Sequence, residues 1–230
     1  MMTPQSQVVP IRSLVANAFL VRGERTIIVD TGNPGNAPRI LRRLAALGIA
    51  PRSISLILLT HGHLDHFGSV HELKRQTGAP VAIHTRDAEA LRRGRNPPLV
   101  PRCPMGHVLK PFFQHRRIAP CEPDLIVDEQ TRLEPFGVAG RIIATPGHTP
   151  GSISLLLPSG DLLAGDLLLG GWLGGHVARS RPGLPYFYDD PDETHRSIQA
   201  VLELPLARVH VGHGGPLDPV AMRRALAKRL

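Results

Sequence analysis

The segment Thr60-His61-Gly62-His63-Leu64-Asp65-His66 places three imidazoles and one carboxylate directly after the apolar run Ile54-Ser55-Leu56-Ile57-Leu58-Leu59. Neutral imidazole with carboxylate is the ligand set that zinc and similar borderline metals prefer. In extended backbone alternate side chains share a face, so His61 and His63 can grip one ion. Asp65 and His66 are adjacent, point different ways and suit a second ion beside the first. The apolar run reads as a strand buried on both faces, and α/β sheets place their sites at the ends of such strands. Three later segments repeat the pattern of strand and ligand: residues 142–147 lead to His148, 162–165 to Asp166 and 209–212 to His213. Glycine stands beside each ligand, where it lets the backbone approach a crowded centre. Five histidines and two carboxylates from four strand ends are enough for two metals.

Positioning these segments calls for α/β layering. Residues 8–21 form a first strand or hairpin arm, and Thr26-Ile27-Ile28-Val29-Asp30 a buried strand ending in the loop Asp30-Thr31-Gly32. Asn36 is the expected cap of a helix that buries Ile40, Leu41, Leu44 and Leu47 and stops at Gly48. A short helix from Gly68 or Ser69 to Gly78, a strand at 80–83 and a helix across 86–93 continue the alternation. Seven prolines between residues 94 and 123 forbid a long helix or a central strand there. That stretch is an insertion and a candidate wall of the substrate pocket. Strands return at 125–127, 141–144, 152–157 and 161–164, the last two joined by a turn at 158–160. Residues 167–190 read as a Gly-rich active-site loop carrying Trp172, Tyr186, Phe187 and Tyr188. A helix at 193–202 capped by Asp190 or Asp192, a strand at 209–211 and a basic helix at 219–230 complete one domain over residues 1–230.

Length and composition suit a soluble globular protein. The most apolar stretch, residues 162–175, carries Asp166 and several glycines and cannot cross a bilayer. Residues 1–10 lack the pattern of a secretory signal, so the cytoplasm is the expected compartment. The net charge of +8 raises nucleic acid as a partner. The basic pairs are scattered, however, and lack the interleaved aromatics of a base-stacking surface. A small-molecule substrate is the expected partner, with a second copy of the chain left open and a membrane excluded. Cys103 and Cys121 are expected as reduced thiols. With His107 and His115 they fit no compact zinc-finger spacing.

The His61-x-His63-x-Asp65-His66 run, Pro146-Gly147-His148-Thr149-Pro150-Gly151, Gly165-Asp166 and Gly212-His213 resemble the four ligand segments of the metallo-β-lactamase-fold superfamily. Asp30-Thr31-Gly32 is similar to an early motif of that family. The likeness points to its glyoxalase II and acyl-homoserine lactone lactonase branch. It implies an α/β fold, a four-layer αβ/βα sandwich with metals at one edge between the sheets. It further implies that His61, His63 and His148 hold one ion, that Asp65, His66 and His213 hold the other, and that Asp166 bridges both. The implied cofactors are two Zn2+ ions, with iron or manganese as alternatives. Metals about 3.5–4 Å apart can share a hydroxide, because coordination lowers the pKa of water toward roughly 7. The implied activity is thus hydrolysis of a small ester, lactone or thioester by a metal-bridging hydroxide. Asp166 and Asp65 are its catalytic carboxylates, Asp65 relaying a proton to the leaving group. Asp30 is expected to orient a ligand histidine through its free ring nitrogen.

Departures from the family narrow this reading. True β-lactamases of the fold lack the bridging aspartate that Asp166 supplies, which disfavours antibiotic hydrolysis. Glyoxalase II carries an extra C-terminal helical region for glutathione, whereas 17 residues follow His213 here. The lactonases place a tyrosine three residues after the bridging aspartate, where this chain has Leu169. Tyr186 or Tyr188 is the candidate replacement, its phenol hydrogen-bonding a substrate carbonyl. His176, shortly after Asp166, is a further candidate for the pocket wall. A mononuclear iron persulfide dioxygenase keeps much the same histidines and is the alternative enzyme class. A phosphodiesterase or nuclease would use the basic charge.

Overall fold

The computed structural model describes residues 6–226. The first sheet holds β1 (Gln7–Ile11), β2 (Ala18–Arg22), β3 (Thr26–Val29), β4 (Ile54–Leu58), β5 (Val81–His84) and β6 (Leu125–Val127), side by side in chain order. Strands β1 to β3 pair antiparallel, and β3 to β6 pair parallel. Further along come β7 (Arg141–Ala144), β8 (Ile153–Leu156), β9 (Asp161–Leu163), a separate hairpin of β10 (Leu169–Trp172) and β11 (Val177–Gly183), and β12 (Arg208–His210). The second sheet has the order β12-β9-β8-β7. The helices are α1 (Ala37–Ala46), α2 (Leu64–Phe67), α3 (Val70–Thr77), α4 (Ala88–Arg93), α5 (Pro104–Gln114), α6 (Pro191–Leu202) and α7 (Pro219–Leu226). Among the described residues no helix is long and apolar enough to cross a membrane.

Alternation along the strands divides the core into slabs. Ile28 of β3 and Ile57 of β4 join Ile40 and Leu44 of α1, Leu73 of α3 and Leu91 of α4. The neighbouring Ile27, Val29, Leu56 and Leu58 face the second sheet, against Ile142, Ile153, Leu155 and Leu163. On the far side, Leu156 and Leu162 pack on Ile198 and Val201 of α6 and Met222 of α7. The result is the αβ/βα sandwich. The continuous apolar run before His61 follows from it, because both faces of β4 are covered. Each fully buried leucine or isoleucine contributes about 1.5–3 kcal/mol, so the strand ends beneath the ligand loops are firmly held.

Two expectations need correction. Residues 94–123 contain a helix of 11 residues, α5, despite their prolines. Pro104 occupies its first turn, where a missing N–H costs nothing. Pro111 lies near the carboxyl end on the exposed side and removes a single rung. Residues 167–190 are not simply a loop, since β10 and β11 form a hairpin within them. Its strands are Gly-rich and mostly exposed and therefore show no apolar alternation. The basic helix is seen to Leu226, and the last four positions of its expected span lie outside the described residues, as do residues 1–5.

Capping partly follows expectation. Asp190 caps α6, its Oδ1 accepting from Glu193 N at 2.9 Å. Asn36 precedes α1, but its side chain accepts from Asn33 N instead. Ser69 takes over, its Oγ accepting from Asn36 N at 2.8 Å and Ala37 N at 3.1 Å while donating to Asn33 O. Ser69→Ala strands these groups beside the loop that follows Asp30. It should lower unfolding free energy by about 1–3 kcal/mol, measured by urea denaturation.

Candidate metal centre

Loops at one edge of the two sheets bring seven predicted ligands together. His61 and His63 follow β4, Asp65 and His66 lie on α2, His148 follows β7, Asp166 follows β9 and His213 follows β12. Residues 60–62 bend rather than extend, yet both rings reach the same place. His148 Nε2 stands 3.2 Å from His61 Nε2 and 2.9 Å from His63 Nδ1. His213 Nε2 lies 3.4 Å from Asp65 Oδ2 and 3.0 Å from Asp166 Oδ2. Asp166 stands between the groups, its Oδ1 3.3 Å from His66 Nε2 and its Oδ2 3.8 Å from His148 Nε2.

Hydrogen bonds behind the ligands fix their rings. Asp30 Oδ2 accepts from His66 Nδ1 at 2.8 Å, and Asp30 Oδ1 accepts from Thr60 N at 2.8 Å. The Thr60 hydroxyl donates to the same carboxylate and lies 3.0 Å from His61 Nδ1. With its one proton given to Asp30, that hydroxyl accepts from His61 Nδ1–H and leaves His61 Nε2 as a free lone pair. The 2.7 Å bond from His213 Nδ1 to Val15 O does the same for His213. Asp30 adopts φ 58°, a left-handed conformation that aspartate tolerates better than most residues.

The centre fits metal ions on its own geometry. Three imidazole nitrogens converge on one point, which protons alone cannot satisfy. His66 Nε2 and Asp166 Oδ1 are buried without a hydrogen-bond partner. A Cβ on Gly212 would overlap Asp166 Oδ1 and the His66 ring, so only glycine lets β12 end this close to them. Among the described residues the potential ligand groups are His61/His63/His148, His61/His66/Asp166 and Asp65/His66/His213, each with its donor atoms within 4.8 Å. Neither cysteine joins one, and both thiols are free.

Burial and charge divide the ligands into two kinds. Burial pushes His63 down to about 4 and His148 to about 3, and it holds His61 well below the ordinary imidazole range. These rings are neutral and offer lone pairs. Burial acts the same way on His66 and His213, but carboxylates outweigh it. Asp166 and Asp30 hold His66 above its ordinary range, and Asp166 with Asp65 raises His213 to about 10. Burial alone would raise the Asp65 and Asp166 carboxyls, yet the charges of His213 and His66 and the contact of each carboxylate with His213 hold both ionised. A cation among these four groups takes the place of ring protons, so metal uptake releases protons.

The family model of the metallo-beta-lactamase superfamily matches residues 12–213. The chain belongs to that superfamily. Its buried histidines and aspartates are consistent with a dinuclear centre of metallo-beta-lactamase type. Probable metallo-hydrolase YflN of Bacillus subtilis is 28% identical over 240 residues, covering 93% of this chain and 86% of its own. Hydroxyacylglutathione hydrolase of Ectopseudomonas mendocina is 30% identical over 88% of this chain, which spans 62% of that relative's length. The crystal structure of TTHA1623 in a di-iron-bound form superposes with a TM-score of 0.68 at 28% identity, covering 95% of this chain and 97% of that one. BLEG-1 B3 metallo-beta-lactamase, at 24% identity, shares the fold with a TM-score of 0.70 over 96% of this chain and 97% of its own.

A cavity of about 230 Å3 opens over the centre and is reached by His63, Asp65, His148, Asp166 and His213. Of the predicted substrate contacts, Tyr186 stands in its wall, with its phenol oxygen accepting from Leu173 N at 3.2 Å. Tyr188 and His176 do not stand in this wall. Tyr188 stacks under the Arg102 guanidinium, and His176 hydrogen-bonds Leu14 O at 2.7 Å. Sequence reasoning missed Asp87, which sews two ligand loops together. Its buried carboxylate accepts from Gly62 N at 2.6 Å, Thr149 Oγ1 at 2.5 Å and Gly151 N at 2.9 Å. It also missed Asn96, whose Oδ1 accepts from Leu64 N at 2.6 Å while its amide donates to Phe113 O. The Gly62 and Pro150-Gly151 turns did signal backbone donors in need of a buried acceptor, but nothing in the sequence pointed to position 87.

Asp87→Ala leaves these donors unpaired. It should cost at least about 2 kcal/mol in urea unfolding and reduce metal content by elemental analysis. Asp189 provides a pH test, because burial and then the Asp87 charge push its carboxyl from 3.8 up to about 6. The folded state resists this ionisation, so the protein loses stability as pH rises through that window. Asp189→Asn should therefore raise the melting temperature above pH 6 and leave it unchanged below about pH 4.

Proposed function

We propose that this chain is a dinuclear metal-dependent hydrolase of a small ester, lactone or thioester, with zinc as its native metal. The observation that carries the reading is the convergence of two ligand groups and a shared carboxylate on the floor of one cavity. When bound, the ions supply Lewis acidity and lower the pKa of water toward about 7. His61, His63 and His148 would hold one ion, Asp65, His66 and His213 the other, with Asp166 between them. Among the described residues no serine, threonine or cysteine stands in the cavity wall, so the attacking oxygen comes from water. Asp65, ionised and partly exposed to the cavity, is placed to accept a proton from the attacking water and pass it on to the leaving group. Asp30 and Thr60 keep the rings of His66 and His61 in one tautomer throughout. The Tyr186 phenol is the side-chain hydroxyl at hand to steer a substrate carbonyl.

A mononuclear iron dioxygenase would keep much the same histidines, and metal content separates it from the hydrolase. The di-iron form of TTHA1623 keeps iron open as the metal pair. Elemental analysis should return close to two metal ions per chain; a single iron without zinc would sink the proposal. Asp166→Ala should lower that content and reduce turnover at least about a hundredfold. The rate assay should cover lactones, simple esters, thioesters, phosphodiesters and a β-lactam reporter. Turnover confined to phosphodiesters or the β-lactam would refute the substrate class.

A further inference from the structure

Charge is distributed unevenly around this centre. The chain carries 27 lysines and arginines, yet among the described residues none stands in the wall of the metal cavity. Apart from the ligands, Asn96 and the Tyr186 phenol, the wall is apolar. It includes a stripe along α5, Met105, Leu109 and Phe113, at the i, i+4, i+8 spacing of one helix face. Arg86, Arg93, Arg95 and Arg117 stand instead in the wall of a different cavity of about 470 Å3, together with Asp87, Glu89 and Asp189. Gly62 and Asn96 lie between the two, since Gly62 faces the second cavity and Asn96 lines both.

Local packing holds this apolar wall in place. Arg102 N donates to Tyr186 O at 2.9 Å, Tyr188 N donates to Val100 O at 3.2 Å, and Arg102 Nε donates to Tyr188 O at 2.7 Å. A Cβ on Gly106 would meet Tyr186 O at 2.6 Å, so glycine lets α5 press against that segment. At the mouth, Leu14 and Leu173 belong to the wall and are 77% and 57% exposed. Contiguous apolar surface left in water at the entrance of a site marks a ligand surface.

We infer that the substrate presents an uncharged apolar acyl group to this wall, and that Met105, Leu109 and Phe113 of α5 set the specificity. The inference rests on the hydrolase reading. An anionic acyl end finds no cation in the wall and must lose its hydration on entry, a penalty that apolar contacts cannot offset. The cavity lies below the roughly 300–1,000 Å3 usual for ligand sites, so a short or medium chain fills it and a longer one runs out over Leu14 and Leu173.

The test uses the metal-loaded full chain and p-nitrophenyl esters from acetate to octanoate, with the adipate half-ester as the charged match for hexanoate. We expect kcat/KM to climb about fourfold per methylene until the cavity is full, and hexanoate to exceed the adipate half-ester at least about a hundredfold. Leu109→Lys should flatten the climb and narrow that ratio at least about tenfold. Phe113→Ala, which adds space without charge, should move the optimum to a longer chain. A flat chain-length profile, or equal rates on hexanoate and the adipate half-ester, overturns the inference while hydrolysis stands. If no ester, lactone or thioester is turned over, the hydrolase reading fails, and calorimetry with acetamide, butanamide, hexanamide and octanamide decides the wall. Affinity rising with length and lost in Leu109→Lys supports it; no rise overturns it.

Discussion

Asp30 sits under the metal centre with its carboxylate buried, accepting from His66 on one side and from Thr60 on the other. An ionised carboxylate without water is costly unless donors surround it. Here the donors are the parts that must be aligned: the ring of one ligand, the backbone leading to another, and a hydroxyl that touches His61. The penalty of burial is thereby turned into geometric constraint, because any rotation of these groups leaves a charge unpaired. The unusual backbone of Asp30 belongs to the same arrangement, since a left-handed residue after β3 turns the side chain beneath the loop that follows β4.

Fold and centre were legible in the sequence to very different depths. Strands such as β3 and β4 announced themselves because burial on both faces favours apolar runs over alternation. The ligands did so because few residue types can hold a metal, and they follow those runs at glycines. The helix α5 was hidden, since proline counts against helices in general while the cost at Pro104 is nil and at Pro111 confined to one rung. The hairpin β10–β11 was hidden for another reason: glycine at 170 and 171 admits backbone neighbours, and a mostly solvated strand needs no alternation. Asp87 could not be found at all, because a carboxylate that accepts from distant backbone N–H groups leaves no local pattern.

The centre and the cavity above it are built on different principles. Metal ligands come from loops anchored in the core between two sheets, where each position is fixed by packing. Much of the cavity wall comes instead from α5 in residues 94–123 and from the segment around Tyr186, which hydrogen-bond each other through Arg102 and Tyr186. Asn96 links the systems, holding the start of α2 by one end of its side chain and the end of α5 by the other. A wall of this kind can change its lining without disturbing the ligands, provided that the link and the pairing around Arg102 and Tyr186 persist.

The bond from His213 to Val15 joins positions 198 residues apart. Asn17 reinforces it by donating to Val211 O and Gly214 O, each at 2.9 Å. The last ligand is therefore oriented by the first hairpin of the chain, and contacts of such separation form late because loop closure must precede them. During synthesis the His61 and His63 loop leaves the ribosome long before its partners exist. A nascent chain can offer those two rings to a metal early, but the group around His213 completes only when residues 15–17 meet residues 211–214. Assembly of the whole centre thus requires this distant pairing of chain segments as well as the ligands themselves.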